Sequence, residues 1–255
     1  MKQIPQVLML ACGALSREIE ALKRQNQMDC WTVRYLPASW HNLPHKIPQG
    51  LEENLKKAKN RYSRIYVAYA DCGSGGGIDR LIEDYDVERL PGAHCYEFFS
   101  GTENFETMME EEPGTFFLTD FLVKTFEKLV IRELGLDVHP ELKNEYFKNY
   151  HRLVYLAQTE DSELREKAEK AADQLKLHFE YRFTGYGTLE TVMNTWQQSK
   201  SYGKADQHLL ACHPFPGDCQ KRAQECENST FRTVSGCHRQ SSNASGKAGE
   251  FRVSG

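Results

Sequence analysis

Eight cysteines stand in a chain of 255 residues, and their neighbours give three of them a chemical setting. Cys12 lies in Leu10-Ala-Cys12-Gly13-Ala-Leu-Ser16, Cys72 in Asp71-Cys72-Gly73-Ser74-Gly75-Gly76-Gly77, and Cys95 in Gly92-Ala-His94-Cys95-Tyr96-Glu97. Each follows an apolar, β-rich run and precedes a turn or helix signal. A thiol near a helix N-terminus is favoured as thiolate, the form that attacks electrophiles and ligates metals. Three such thiolates, with His41 from Ser39-Trp-His41-Asn or a carboxylate as fourth ligand, suit zinc or an iron–sulfur cluster. The cysteines are too far apart to match a metal-binding signature, so this expectation rests on their common placement at junctions.

The second junction carries further possibilities. Gly73, Ser74, Gly75, Gly76 and Gly77 have almost no side-chain bulk, so their backbone can approach a ligand and aim N–H groups at an anion. The Gly-Lys-Ser/Thr of a nucleotide-triphosphate loop is missing. A metal-free alternative follows, in which this loop holds the anion of a small-molecule ligand and Cys72 is a nucleophile activated by a nearby base. At the third junction, a strand over Ala93–Phe99 would put Cys95 and Glu97 on one face and His94 and Tyr96 on the other. Glu97 then joins the candidate catalytic residues, because a buried glutamate needs a partner. The turn Thr184-Gly185-Tyr186-Gly187 reads first as structural.

The elements that would position these residues are legible as an alternation. Strands are expected at Val7–Cys12, Trp31–Leu36, Arg64–Ala70, Ala93–Phe99, Arg152–Gln158 and His178–Phe183. The continuous runs VLMLAC and RIYVAYA suit strands covered on both faces. Leu15, Ile19 and Leu22 mark one amphipathic helix, and Leu164, Ala168, Ala171, Ala172 and Leu175 another capped by Asp161. Thr115–Leu134 reads as one long core helix stopped by Gly135, with Ser100 and Glu103 as a capping box after the fourth strand. The expected fold class is α/β: an open, mostly parallel sheet of about six strands with flanking helices, Rossmann-like, in which ligands bind beyond the carboxyl ends of the strands.

This α/β domain is expected over residues 1–200. Residues 201–255 read as a Cys/Ser/Gly-rich tail, with too few apolar residues to offset chain entropy, and therefore disordered. Its Cys212, Cys219, Cys226 and Cys237 lack the close pairs of a zinc finger. With 32 basic and 36 acidic residues the chain has no basic footprint for nucleic acid, and no apolar run reaches the ~20 residues of a membrane span. The apolar stretch near the N-terminus is shorter than a signal peptide's core, so a cytoplasmic protein is expected.

The segments LACGALSREI, LPASWHNLPHKI, YADCGSGGGIDRLI, GAHCYEFFSG, GTFFLTDFLVKTFEKLV, YHRLVYLAQTED and EYRFTGYG resemble a bacterial and archaeal family of uncharacterised proteins, domain of unknown function 1638. The resemblance spans roughly residues 7 to 190. It implies no assigned activity. It does imply a supporting role in corrinoid-linked methyl transfer or one-carbon metabolism, with a corrinoid protein or methyltransferase as partner. A non-catalytic role beside such an enzyme is a third expectation. Family members continue in ordered structure after the TGYG turn, where this chain passes into its polar tail.

Overall fold

A computed structural model of the chain describes residues 7–199. The expected disordered tail, with its four cysteines, lies outside the described residues. Strands β1 (Val7–Cys12), β2 (Trp31–Leu36), β3 (Arg64–Ala68) and β4 (Val87–Arg89) form a four-stranded sheet in the order β2-β1-β3-β4. Strands β5 (Thr115–Leu118), β6 (Arg152–Ala157) and β7 (His178–Phe183) form a second sheet in the order β5-β6-β7. Every pairing is parallel. The α/β class with parallel strands and flanking helices is therefore the one the chain adopts, with the seven strands among the described residues divided between two sheets.

Around the first sheet lie α1 (Ser16–Gln25), α2 (Lys46–Ala58), the short α3 (Gly77–Ile82) and α4 (Cys95–Ser100). All six residues of β1 are buried, as a strand covered on both faces requires. Ile19 and Leu22 of α1 and Ile47, Leu51 and Leu55 of α2 pack into the same core, each worth roughly 1.5–3 kcal/mol of transfer free energy. Near the second sheet run α5 (Thr102–Glu111), α6 (Asp120–Phe126) with a π-helical continuation over Glu127–Arg132, α7 (Leu142–Phe147) and α8 (Ser162–Leu175). The Asp161 carboxylate caps α8, accepting the Glu163 and Leu164 N–H groups at 3.0 and 3.1 Å. Its stripe Leu164, Ala168, Ala171, Ala172 and Leu175 is buried as the spacing predicts.

The last helix, α9 (Thr188–Gln198), follows β7 yet buries Leu189, Met193 and Trp196 in the first sheet's core. The Tyr66 ring stacks on Trp31 at 5.4 Å and on Trp196 at 4.6 Å, and its hydroxyl donates to the Trp196 carbonyl at 3.1 Å. The chain thus returns to its first half and ties the two sheets into one body.

Three elements differ from expectation. Ala93–Phe99 is not a strand: His94 is extended and α4 begins at Cys95. Glu97, third in that helix, reaches back to accept the Ala93 N–H at 2.8 Å, which satisfies a donor a strand would have paired. The alternation that set Cys95 and Glu97 on one face therefore does not exist. Ser100 is no cap either, since its hydroxyl donates to the Tyr96 carbonyl and Gly101 is the N-cap of α5. Thr115–Leu134 is not one helix, because TFFL pairs with Arg152–Tyr155 as β5 and the Thr119 hydroxyl caps α6. The short edge strand β4 has too few residues to show a period.

Candidate functional site

In a parallel sheet all carboxyl ends lie on one edge, and the expected thiols gather there. β1 ends on Cys12, whose sulfur accepts the Ala14 N–H at 3.4 Å as the chain bends through Gly13–Leu15 into α1. The turn is tight: a Cβ on Gly13 would stand 2.8 Å from the Leu36 carbonyl oxygen at the end of β2. Just past β2, a 3-10 turn over Ala38–Asn42 carries His41 back over this edge. Its Nδ1 lies 2.8 Å from the Ala38 carbonyl, and its ring nitrogens lie 3.8 Å (Nδ1) and 3.9 Å (Nε2) from Cys12 Sγ. Burial works against the imidazolium, but hydrogen bonds and negative charge from Cys12 and Cys72 outweigh it and raise the His41 pKa well above the ordinary value. The histidine therefore faces two thiols together.

Cys72 follows β3 and holds a left-handed backbone, φ +51°, rare for a residue with a side chain. Hydrogen bonds from Asp71 N–H to the Gly92 carbonyl (3.1 Å) and from Cys72 N–H to the Ala93 carbonyl (2.8 Å) fix that conformation. They also pin the loop bearing His94 and Cys95 to the end of β3. Arg89 braces the same loop, donating to the Leu90 and Gly92 carbonyls while its guanidinium forks onto Asp79. Cys95 opens α4. Burial first, and then the charge of Cys72 and Cys12, raise its pKa well above the usual thiol value. That mutual influence brings the third thiol into the cluster.

Tyr69, two residues before Asp71, is 1% exposed, and its hydroxyl has no hydrogen-bond partner. Burial, followed by the negative charge of Cys12 and Cys72, raises its pKa. The Cys12 sulfur, a weak acceptor, is the group this hydroxyl leans on.

The other expected residues are placed differently. The glycine loop already holds an anion of its own, because the Asp71 carboxylate accepts from the Ser74 hydroxyl (2.6 Å), the Gly75 N–H (3.1 Å) and the Gly76 N–H (2.8 Å). Gly77 N–H is spent on the Ser74 carbonyl at 3.1 Å. Glu97 accepts from Ala93 N–H and from the Thr102 hydroxyl at 3.1 Å, so it braces the start of α4. The TGYG turn packs on the end of α4, where Thr188 donates to the Phe98 carbonyl at 3.1 Å.

What can the cluster do? A sulfur and an imidazole nitrogen sharing a tetrahedral zinc lie about 3.6 Å apart, with the far ring nitrogen about 5 Å from the sulfur. Cys12 Sγ is instead almost equidistant from both nitrogens, so the ring presents no lone pair along the line of a shared ion. Among the described residues no three His, Cys, Asp or Glu side chains form a ready-made metal cage. Thiols and an imidazole are nonetheless donor types that zinc accepts.

Sequence reasoning missed Tyr69, Arg89 and a second polar group around Asp120 and Glu18. Asp120 is 1% exposed and accepts from the Tyr155 hydroxyl (2.7 Å), the Gln158 N–H (2.9 Å) and the Thr159 hydroxyl (2.5 Å), clamping the ends of β5 and β6 together. Its signal was the Thr119-Asp120 pair after an aromatic run, a strand end followed by a cap. No helix among the described residues is long and apolar enough to cross a membrane.

No curated protein and no solved structure matches the chain significantly. A family model described as a protein of unknown function, DUF1638, matches residues 35–193, a stretch that includes His41, Cys72 and Cys95 and begins after Cys12. The chain belongs to the DUF1638 family.

Proposed function

We propose that the thiol cluster binds a thiophilic metal, zinc or an iron–sulfur cluster, through Cys12, Cys72 and Cys95 with His41 as fourth ligand. What supports this reading is that three free thiols and one imidazole influence one another at a single sheet edge. Thiolates suit zinc and iron–sulfur centres far better than hard cations. The Ala38 carbonyl beside Nδ1 is the kind of outer partner that fixes a ligating histidine's tautomer and leaves Nε2 for the metal. In the methyl-transfer role implied by family resemblance, with a corrinoid protein or methyltransferase as partner, the ion would hold an acceptor thiol as thiolate.

The equidistant placement of Cys12 Sγ from both His41 nitrogens favours a second reading, a metal-free thiol–imidazole pair. There Cys72 is the nucleophile, and His41, whose ring also feels the Cys72 thiol, is its base. Metal analysis of anaerobically purified protein, with its visible spectrum, separates the two. The first reading expects near-stoichiometric zinc or iron that falls sharply in Cys72→Ser. The second expects little metal and alkylation of Cys72 much faster than that of a free thiol at neutral pH.

A further inference from the structure

A cavity of about 380 Å³ opens at the carboxyl end of the second sheet, outside the thiol cluster. Glu18 enters its wall from the first turn of α1, Asp120 from the start of α6, and Glu160 and Asp161 from the turn after β6. Arg17 and Lys124 complete the charged wall. Its charges are layered. Glu18 and Asp120 are buried, at 4% and 1% exposure, whereas the other four are exposed and hold two charges of each sign. The rim is therefore balanced, and the buried charged groups are carboxylates alone.

Glu18 is the residue that points to a ligand. Its Oε2 has no hydrogen-bond partner, and no ion pair among the described residues reaches any of the four carboxylates. Asp120 accepts only neutral donors, from Tyr155, Gln158 and Thr159, and the Asp161 carboxylate caps α8. Helix N-termini attract acids, which accounts for Asp161. It does not account for a Glu18 oxygen buried with no donor and no counter-charge, which is costly. Burial is the largest influence on Glu18 and raises its pKa, and Asp120 adds to the rise more than Lys124 or Arg17 alone removes. An inorganic cation does not fit. Both Asp120 oxygens are taken, and no three His, Cys, Asp or Glu side chains among the described residues could enclose an ion. One open oxygen suits instead a single positively charged N–H donor, on a molecule sized for a cavity of several hundred Å³.

We infer that this cavity binds a small organic amine, whose ammonium group donates to Glu18 Oε2 while its carbon chain fills the space beneath the mixed rim. The ligand occupies the crevice outside the strand ends, where α/β sheets bind their ligands. The buried carboxylates of Glu18 and Asp120 attract the ammonium, and the long, exposed Arg17 and Lys124 side chains can carry their charge out into water. The site shares the β1–α1 connection with Cys12 but uses no residue of the thiol cluster, so its binding does not require the metal.

Titration calorimetry of the full chain in an amine-free buffer tests the proposal with butylamine and 1,4-diaminobutane. Butane-1,4-diol serves as neutral probe, succinate as anionic probe and magnesium chloride as inorganic cation. Saturable heat with at least one amine, and none with the other three, is the expected result. Glu18→Gln keeps the side chain's size and removes its charge, so it weakens amine binding at least about tenfold, as the loss of a charge-assisted contact implies. The Arg17→Gln/Lys124→Gln double variant binds the amine equally well or more tightly. Silence with both amines, the result if water alone fills the cavity, overturns the proposal. So does an equal response to butanediol, succinate or magnesium, or amine binding that is unchanged in Glu18→Gln. The probe panel decides the matter even if a variant does not fold.

Discussion

Replacing Asp120 removes a buried carboxylate that three donors share, and the structure gives enough to work out the consequence. In Asp120→Ala the Tyr155 hydroxyl, the Gln158 N–H and the Thr159 hydroxyl all lose their acceptor. Hydrogen bonds to a charged group contribute roughly 1.5–3 kcal/mol each, and an orphaned buried donor costs about 1–3 kcal/mol. Allowing the Thr159 hydroxyl to find water, the loss is about 3–6 kcal/mol, a large part of a typical domain stability of roughly 5–15 kcal/mol. Asp120→Asn is milder. The amide oxygen still serves Tyr155 and Gln158, and the Thr159 hydroxyl can rotate to accept from the new NH₂ group, so the cost is about 1–2 kcal/mol. Urea unfolding measures both, with an unchanged slope expected for Asp120→Asn. An Asp120→Ala protein within about 1 kcal/mol of the parent would refute the clamp between β5 and β6.

Two further outcomes follow from single positions. A Cβ at Gly187 would stand 2.2 Å from the Phe98 carbonyl oxygen with φ at +52°, whereas Gly185, at φ +59°, has nothing within 4 Å. Gly187→Ala should therefore lower Tm by at least about 4 °C and Gly185→Ala by clearly less; equal losses would show that the α4 contact is unimportant. Glu18 has a raised folded-state pKa, chiefly from burial, so its ionisation opposes folding. That penalty is absent below the unfolded value of 4.5, grows as pH rises through it toward the folded value, and is then constant. Glu18→Gln should accordingly raise Tm near neutral pH, with the gain fading toward about pH 4; a gain that grew on acidification would contradict the assigned direction.

Much of the architecture was legible because the core strands carry continuous apolar runs. VLMLAC and RLVYLA can be covered only on both faces, and the α8 stripe with its Asp161 cap left little choice of element. The misread elements were those where tertiary partners decide. TFFL has the composition of a strand or a buried helix, and only pairing with Arg152–Tyr155 chooses. HCYEFF alternates well enough for a strand, yet β4 already fills the edge beside β3 and Glu97 supplies the reach-back contact of a helix start. For the site, junction placement picked out Cys12 and His41, which lie 3.8 Å apart, and Cys72 and Cys95, whose loops are hydrogen-bonded to each other beyond β3. It misjudged the glycine loop, because nothing in GSGGG says that Asp71 will turn inward and occupy its N–H groups. Glu18 and Asp120 were hidden for a related reason: they come together from opposite halves of the chain.

The metal content of the full chain, purified without oxygen and without chelator, bears most directly on the thiol cluster. Near-stoichiometric zinc or iron, lost together in Cys12→Ser, Cys72→Ser and His41→Ala while Glu97→Gln retains it, is the expected result. Protein free of transition metal that gains none when zinc or ferrous ion is supplied, with Cys72 fully reactive to alkylation, would contradict it.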